Sequence, residues 1–548
     1  MDGNEGFRAR AQNMAAAAAD PTGMLRPASD LLNPAATTRQ LPWLSGELAK
    51  IAVGRSGITM DPKDRKFGDV AWQDNPLYRR IGQSYKLFEQ LMGRLVDAAP
   101  GGWERQARAR YLANVVTGAV SPTNFLPTNP AAIKRAFDTG GLSLVRGARN
   151  MAGDLARGGM PSMADRRPFP VGEKLACSPG AVVYRDEIIE LLQYAPATAQ
   201  VRSRPLLIVP PQLNRYYVLD LAPGRSMVEY MLGQGIQPFM IVWRNPQAEA
   251  GHGKWGLDDY FAALSRALDV TTQITGSEDV NLLGLCAGGL TAALFQGYLA
   301  AQGDTSVHAL TLIVTLLAGN YPNVLGQFDT PGAREMLRRA ASLGQVLPGD
   351  MLRTTFAWLR PDDLVFNYLV SGWLLGDQPH AFDVLAWNDD ATGVTAKLGL
   401  EASELVVQNK AARPGAVSVL GTPIDLAKVG CDSFHVAGYT DHISPWRAAY
   451  ATAQLLGGSK EMVVVKSGHI QSFVNPVKNS RYDYWDGPPA AAGPDEWLAT
   501  ATFQHGSWWP RWGEWIVARS GDETPAPDTL GSAKHPPLGP APGTYVYG

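Results

Sequence analysis

The sequence predicts an α/β protein with a mostly parallel sheet, a helical N-terminal domain and an inserted cap. From residue 180 onward, short apolar segments alternate with amphipathic segments, which is typical of a parallel sheet with helices on both faces. That alternation stops after Gly319 and resumes at Phe434, so we expect an insertion between two strands. Before residue 176, apolar residues recur at helical spacing instead.

The N-terminal part predicts two regions. Residues 1–65 are rich in Ala, Pro, Asn and Asp without a sustained period, so we expect a mobile segment with at most one short helix. Residues 66–175 predict a helical domain, because Asn75-Pro76 and Asn129-Pro130 each place an N-cap residue before a proline at the first helical position. An apolar stripe follows the first of these starts: Leu77, Ile81, Tyr85, Phe88, Leu91 and Leu95. Core packing is the first interpretation of this stripe, and docking on a partner or an apolar surface is the alternative.

Residues 176–548 predict the domain that carries the sheet. Seven strands are expected, at Ala181–Tyr184, Pro205–Pro211, Pro238–Trp243, Val280–Leu285, His308–Leu317, Phe434–Gly438 and Met462–Val465. Helices are expected between them, at Ser226–Gly235, Leu257–Thr275 and Gly289–Ala301. The interruption predicts a cap over about residues 320–430, made of helices with Trp-rich and Pro-containing connections.

Composition excludes several functional classes. Lys and Arg number 49 against 51 Asp and Glu, and the net charge of -2 argues against nucleic acid as the main partner. The 3 cysteines lie far apart in the sequence, so neither a disulfide framework nor a zinc knuckle is expected. We expect instead a protein of a reducing compartment. The longest apolar run, at 309–319, is too short to cross a bilayer. We therefore expect a cytoplasmic protein without a transmembrane segment.

Cys286 is the candidate nucleophile. It lies in GLCAGG at 284–289, which follows an apolar strand and opens an Ala/Leu-rich segment. This is G-x-C-x-G in the strand–turn–helix setting of a nucleophile elbow, where glycines allow the strand and the helix to approach closely. Buried packing is the usual role of a free cysteine, and we assign that role to Cys177 and Cys431. The elbow predicts an α/β-hydrolase fold for this domain.

Asp441 and His469 are the candidate partners of Cys286. In hydrolases of this fold, the acid and then the histidine follow the nucleophile along the chain. Asp441 lies just after the predicted strand Phe434–Gly438, and His469 follows the strand Met462–Val465. His442 is adjacent to the acid, so a supporting role is expected for it. Asp432 lies at the wrong end of its strand, and Asp389 and Asp390 fall within the predicted cap.

Several longer segments resemble the polyhydroxyalkanoate synthase family. They are GLCAGG at 284–289, VPPQLNRYYVLDL at 209–221, VWRNP at 242–246, WGLDDY at 255–260, FNYLVSGWLLGDQPHAFDVLAWNDD at 366–390, GYTDHISPW at 438–446, SGHIQSFVNP at 467–476 and GSWWPRW at 506–512. The similarity runs from about residue 66 to the end of the sequence. FGDVAWQDNPLYRR, GGMPSMADRRPFPVGEKL and the closing APGTYV look most similar to the group that uses medium-chain monomers without a second subunit.

This resemblance implies a reaction and a set of partners. The substrate would be a (3R)-hydroxyacyl-CoA thioester, which Cys286 attacks while His469 takes the thiol proton and Asp441 orients the imidazole. The oxyanion hole would consist of two backbone N–H groups, that of Ala287 and that of Leu213 in the Gln212–Leu213 turn. No metal or cofactor is expected, since coenzyme A is part of the substrate and is released as a product. The expected partners are the growing polyester chain, a second copy in a homodimer and granule-associated proteins at the granule surface.

Two alternatives remain open at the level of sequence. A cysteine hydrolase of the same fold, acting as an intracellular polyester depolymerase or a thioesterase, would carry the same elbow and triad. A granule-coat protein without catalytic activity would have no reason to align Cys286 with Asp441 and His469. Trp508, Trp509, Trp512 and Trp515 predict a helix packed on the core, or else a surface that faces the polymer.

The predicted cap also suggests a gate. Trp358, Phe366, Tyr368, Trp373, Leu374, Leu375 and Trp387 would give it apolar contacts, and Gly372 and Gly376 would let it flex. Such a cover would exclude water from a thioester intermediate and would open for substrate and polymer. A fixed subdomain core is the alternative interpretation of these aromatic residues.

Overall fold

A computed structural model describes residues 25–31, 33–61, 63–319, 321–478, 480–490 and 492–548. The chain forms two compact units. The first contains the described residues up to Asp165 together with Thr330–Ala333 and Met351–Leu385, and the second contains Arg166–Asp329, Arg334–Asp350 and Ala386–Gly548. These units differ from the predicted boundaries, because the predicted cap at 320–430 divides between them.

The first unit is helical. Its helices before residue 166 are Leu25–Leu31, Pro34–Ala52, Ala71–Asp74, Pro76–Asp97, Trp103–Ala119, Pro130–Asp138 and Leu142–Ala156, with 3-10 turns at Arg65–Phe67, Pro122–Asn124 and Leu126–Thr128. The Asn75 side chain accepts the N–H of Leu77 at 2.9 Å, and the Asn129 side chain accepts the N–H of Ala132 at 3.0 Å. Both predicted helix starts are therefore confirmed.

The predicted apolar stripe mostly packs inward. Tyr85 and Leu95 are buried, whereas Leu77 at the start of the helix is 63% exposed. Within the predicted mobile segment 1–65, residues 1–24 lie outside the described residues, and Pro34–Ala52 forms a helix of 19 residues. That helix is longer than expected. The Asn33 side chain caps its start, and it was not predicted because its apolar residues show little periodicity in the sequence.

The second unit contains a sheet in which eleven strands of the described chain take part. They are β1 Gly180–Arg185, β2 Ile189–Tyr194, β3 Leu206–Val209, β4 Pro238–Trp243, β5 Val280–Leu285, β6 Val307–Ile313, β7 Asp432–Gly438, β8 Lys460–Val465, β9 Tyr484–Gly487, β10 Thr502–Gln504 and β11 Gly539–Pro540. The spatial order is β10-β9-β8-β7-β6-β5-β3-β4-β2-β1-β11. Shorter strand pairs are Gln200–Arg202 with Glu523–Pro525, Val346–Leu347 with Val394–Thr395, and Ser418–Val419 with Thr422–Pro423.

The centre of the sheet is parallel, and β4, β3, β5, β6, β7 and β8 run side by side in one direction. Strands β3, β4 and β5 are buried along their whole length, as expected where helices cover both faces. All seven predicted strands are present. The strand predicted to reach Leu317 ends at Ile313, because Val314 adopts a φ of 44° and leaves the extended region.

The remaining helices have two locations along the chain. Outside the predicted cap they are Met227–Gly233, Leu257–Thr275, Ala287–Gln302, Trp446–Gln454, His469–Phe473, Pro494–Thr500 and Trp509–Val517. Within it they are Val324–Phe328, Pro331–Ser342, Gly349–Trp358, Asn367–Leu369, Asp383–Asn388 and Ala396–Val407, with π-helical turns at Asp362–Phe366 and Val370–Leu374. Further 3-10 turns are Tyr216–Val218, His252–Lys254, Leu426–Lys428 and Tyr545–Tyr547. Within the described part of the chain, no helix combines the length and the hydropathy needed to cross a membrane.

Candidate active site

Cys286 lies on a strained turn between β5 and the helix Ala287–Gln302. Its φ of 52° and ψ of −118° are rare for a residue with a side chain, and such strain persists where the surroundings fix it. A Cβ added to Gly284 would lie 2.5 Å from the Cα of Gly289, and one added to Gly288 would overlap the carbonyl oxygens of Val209 and Pro210. The predicted elbow is therefore present, and its glycines serve close backbone approach.

Asp441 lies just beyond the carboxyl end of β7 and is held by the backbone that follows it. Its Oδ1 accepts the N–H of Ile443 at 2.8 Å and that of Ser444 at 3.0 Å. Its Oδ2 is 2.6 Å from Nδ1 of His469, and the side chain is 0% exposed. The carboxylate is thus fixed in one orientation and aims one oxygen at the imidazole.

His469 connects the acid to the cysteine. It begins the helix His469–Phe473 after β8, its Nδ1 lies 2.6 Å from Asp441 Oδ2, and its electrostatic partners include Cys286. Burial lowers the pKa of His469, but its interactions with Asp441 and with Cys286 raise it more, to about 10. The Asp441 carboxylate, fixed against Nδ1, therefore favours the protonated form of this imidazole.

Two tryptophans support the helix that carries His469. Trp508 Nε1 donates to the carbonyl of Ser472 at 2.7 Å, and Trp509 Nε1 donates to that of Phe473 at 3.2 Å. Trp508, Trp509, Trp512 and Trp515 are all buried, so the predicted packing of this helix is confirmed. Their connection to His469 was missed, because donor and acceptor are 36 residues apart and no sequence period links them.

The two predicted oxyanion positions lie on segments that meet at the elbow. Gln212 Nε2 donates to Thr291 Oγ1 in the helix Ala287–Gln302 at 2.8 Å, and Trp243 Nε1 donates to the carbonyl of Pro210 at 2.8 Å. Ala287 begins that helix, where the first N–H groups have no acceptor within the helix. The turn that includes Leu213 is thus anchored beside the elbow, while the oxyanion role of Ala287 and Leu213 stays a prediction.

The other candidates have different surroundings. Burial raises the pKa of the Cys431 thiol to about 11, and burial together with Asp220 raises that of Cys177. Both thiols are therefore poor sources of thiolate. Asp432 pairs with Arg519 at 2.7 Å, at the opposite end of β7 from Asp441. His442 is half-buried beside Asp441, and its supporting role stays a prediction. Among the described residues no group of three His, Cys, Asp or Glu is placed to hold a metal ion.

Comparison with known proteins gives matches along most of the chain. The family described as "Poly-beta-hydroxybutyrate polymerase (PhaC) N-terminus" matches residues 63–231, and the family described as "alpha/beta hydrolase fold" matches residues 225–476. The second range contains Cys286, Asp441 and His469. The predicted α/β-hydrolase fold is thereby confirmed.

Three curated relatives are similar over nearly their whole length. Poly(3-hydroxyalkanoate) polymerase 2 of Ectopseudomonas oleovorans is 43% identical, over 94% of this chain and 92% of that protein. Poly(3-hydroxyalkanoate) polymerase 1 of the same organism is 42% identical, over 91% and 89%. The poly(3-hydroxyalkanoate) polymerase subunit PhaC of Cupriavidus necator is 38% identical, over 90% and 85%.

Proposed function

The chain belongs to the poly(3-hydroxyalkanoate) polymerase family of acyltransferases, and from that premise we propose that it polymerises (3R)-hydroxyacyl-CoA thioesters through an acyl group on Cys286. The observation that carries this proposal is the hydrogen bond between Asp441 and His469 together with the electrostatic interaction of His469 with Cys286, and each of the three residues lies beyond the carboxyl end of a parallel strand. This arrangement supplies a nucleophile, a proton carrier and an orienting acid.

Acylation begins with the pair formed by Cys286 and His469. The Cys286 thiolate attacks the thioester carbonyl, and the resulting tetrahedral oxyanion is stabilised by the backbone N–H groups of Ala287 and Leu213. As the intermediate collapses, the bond to the CoA sulfur breaks, and the His469 imidazolium gives its proton to that sulfur. The products are an acyl-Cys286 thioester and free CoA. This exchange of one thioester for another changes no oxidation state, so the step as written uses no redox cofactor and no metal.

Elongation uses the same histidine in the opposite sense. Acylation removes the Cys286 thiolate, one of the two negative charges that raise the pKa of His469. The neutral imidazole then accepts the proton of a 3-hydroxyl group as its oxygen attacks the acyl-Cys286 carbonyl. A C–O ester bond forms, the C–S bond to Cys286 breaks, and the thiolate returns beside a protonated His469.

Cysteine suits this reaction better than serine would. Exchange of one thioester for another is nearly isoenergetic, so the acyl group stays activated for transfer to the next hydroxyl. An oxygen ester on serine would lose that activation before the transfer. We propose for the same reason that water is excluded while the acyl-cysteine exists, with the predicted cap as a movable cover.

The preferred monomer and the partners are also proposals. The relatives at 43% and 42% identity are named polymerases, whereas the one at 38% is named a polymerase subunit. That difference supports a chain that works without a second kind of subunit. We propose medium-chain monomers because the segments FGDVAWQDNPLYRR, GGMPSMADRRPFPVGEKL and APGTYV resemble the group that uses them. We further propose that it acts in the cytoplasm as a homodimer at the surface of a polyester granule, where granule-associated proteins meet it.

One experiment tests the reaction. The purified protein is incubated with (3R)-hydroxyacyl-CoA substrates of increasing acyl length, and CoA release and polymer mass are measured in the same samples. A polymerase releases one CoA for each monomer built into polymer. Release of CoA with free hydroxy acid and no polymer would support the thioesterase alternative, and breakdown of added polyester would support the depolymerase.

A further inference from the structure

Asp390, in the predicted cap, is connected to the loop that follows β3. Its Oδ2 accepts the hydroxyl of Tyr217 at 2.7 Å and lies 3.5 Å from Nε of Arg215. Its Oδ1 is 3.1 Å from a guanidinium nitrogen of Arg166. Tyr217 is 0% exposed and Arg215 is 8% exposed, so this carboxylate faces a buried arginine, whose other guanidinium nitrogens donate to the carbonyls of Tyr545 at 3.3 Å and Gly548 at 2.7 Å.

Neighbouring residues of the same segment contact the same region. Trp387 Nε1 donates to the carbonyl of Arg215 at 2.8 Å. The N–H of Gly393 donates to Asn245 Oδ1 at 2.8 Å, and Asn245 belongs to the loop that follows β4. Residues 387–393 therefore hold the loops after two adjacent central strands.

The loop after β3 reaches the elbow. Arg215 is two residues beyond Leu213, and Gln212 is bonded to Thr291 in the first turns of the elbow helix. The loop is consequently held on the elbow side through Gln212 and on the cap side through Arg215 and Tyr217. A change in the second anchor would move the segment between them.

We propose that Asp390 is a positioning residue for the reaction, because it fixes the Gln212–Leu213 turn through Arg215 and Tyr217. This inference rests on the proposed function, in which Leu213 donates an N–H to the oxyanion. Without the carboxylate, Arg215 would keep only its carbonyl acceptors and lose this counter-charge, and removing one partner of a buried ion pair is strongly destabilising. The turn would then no longer place its N–H where the oxyanion forms.

The test compares two reactions of Cys286 in the full-length protein carrying Asp390→Asn. Acylation by (3R)-hydroxyacyl-CoA develops an oxyanion, whereas alkylation by iodoacetamide does not. We expect acylation and kcat to fall by roughly tenfold to a hundredfold with KM within about twofold, because misplacement of an oxyanion donor affects mainly the transition state. The rate of alkylation at Cys286, followed by mass spectrometry of its peptide, should stay within about twofold of the wild-type rate.

Two further variants make the test decisive. Tyr217→Phe keeps the buried ring and removes the hydroxyl that bonds Asp390, so it should lower acylation in the same direction, and it decides the question if Asp390→Asn does not fold. Glu335→Gln is the matched control, since Glu335 also lies in the predicted cap and pairs with an arginine, Arg338, but is 65% exposed. It should leave both reactions unchanged.

Each outcome has one meaning. Acylation at the wild-type rate in folded Asp390→Asn, or in Tyr217→Phe if only that variant folds, would overturn the inference. Equal slowing of acylation and alkylation would also overturn it, because the substitution would then act on the cysteine and histidine themselves. Failure of the wild-type protein to acylate Cys286 would refute the proposed function instead.

Discussion

Asp441→Asn should reverse the tautomer of His469. Asp441 Oδ1 accepts two backbone N–H groups, from Ile443 at 2.8 Å and Ser444 at 3.0 Å, and Oδ2 faces His469 Nδ1 at 2.6 Å. In the variant, the amide oxygen has to face the two N–H donors, because the NH₂ group cannot accept them. The NH₂ group then faces Nδ1, which must act as an acceptor, so the neutral imidazole carries its proton on Nε2 towards Cys286.

The size of the effect follows from the two backbone donors. Turning the amide around would leave the buried N–H of Ser444 and the part-buried N–H of Ile443 without this acceptor, at a cost of about 1–3 kcal/mol each. The active tautomer therefore lies about 2–6 kcal/mol above the inactive one, which corresponds to roughly a 30-fold to 10⁴-fold loss in kcat at 1.36 kcal/mol per decade. The same substitution in a serine-protease triad costs about 10⁴-fold.

The assay is steady-state release of CoA from (3R)-hydroxyacyl-CoA, with thermal unfolding measured on the same preparation. Asp425→Asn is the matched control, because Asp425 also accepts a backbone N–H, that of Ala427 at 3.0 Å, at the 3-10 turn Leu426–Lys428. The control should keep wild-type turnover. A folded Asp441→Asn protein that retains turnover within about threefold of the wild type would refute this account of the triad.

Three further results are expected. The pKa of His469 is raised from 6.5 to about 10 on folding, so above pH 6.5 this side chain binds fewer protons in the unfolded chain than in the folded one. The stabilisation that this proton provides is complete below pH 6.5 and is lost as the pH rises to about 10. Urea denaturation should therefore show that the free energy of unfolding falls less across this pH range in His469→Gln than in the wild-type protein. Gly288→Ala should destabilise the protein by about 1–3 kcal/mol and lower turnover, because the added methyl group overlaps two carbonyl oxygens. Gly372→Ala is its control: the added methyl group meets no atom within 4 Å, so the melting temperature measured by calorimetry should not change. Trp508→Phe keeps an aromatic ring but leaves a buried carbonyl of the His469 helix without its donor. It should therefore lower the free energy of unfolding by about 1–3 kcal/mol and also lower kcat. If both values stay unchanged, this bond does not support the site.

The central sheet and the elbow could be predicted because their signals are local. Strands such as Val280–Leu285 are short, apolar and followed by a helix, and glycines around Cys286 are required by backbone distances that any sequence with this turn must satisfy. The acid and then the histidine follow the nucleophile along the chain in this fold, and few residues other than Asp441 and His469 met that condition. Each of these predictions needed only residues that are close together in the sequence.

Four strands at the antiparallel edges of the sheet, β2, β9, β10 and β11, were missed for a different reason. Strand β2 contains Glu190, a buried acid that argues against a core strand when the sequence is considered alone. In the fold, its carboxylate accepts the N–H groups of Thr544 at 2.8 Å and Tyr545 at 2.9 Å, which lie more than 350 residues away. Strands β9, β10 and β11 are too short to show a period.

The predicted cap shows the same limit. Asp390 was set aside as a competing acid within the insertion, and its contacts with Arg215 and Tyr217 depend on long-range folding. Other cap residues belong to the helical unit, where Trp373 Nε1 donates to Asp154 Oδ2 at 2.7 Å and Asn150 donates to the carbonyl of Gly372 at 2.9 Å. The division of one insertion between two units leaves no mark in composition or periodicity. The role of the predicted cap as a gate stays a prediction.

The growing acyl chain is proposed to be carried on Cys286, and mass spectrometry of the trapped intermediate shows directly whether it is. The protein is mixed with a (3R)-hydroxyacyl-CoA, quenched in acid within the first turnover, digested and mapped, with Cys286→Ala as the control. We expect an acyl thioester on the Cys286 peptide that appears together with one equivalent of CoA and is absent from the control. An acyl group found on Cys177 or Cys431, or turnover that persists in Cys286→Ala, would contradict it.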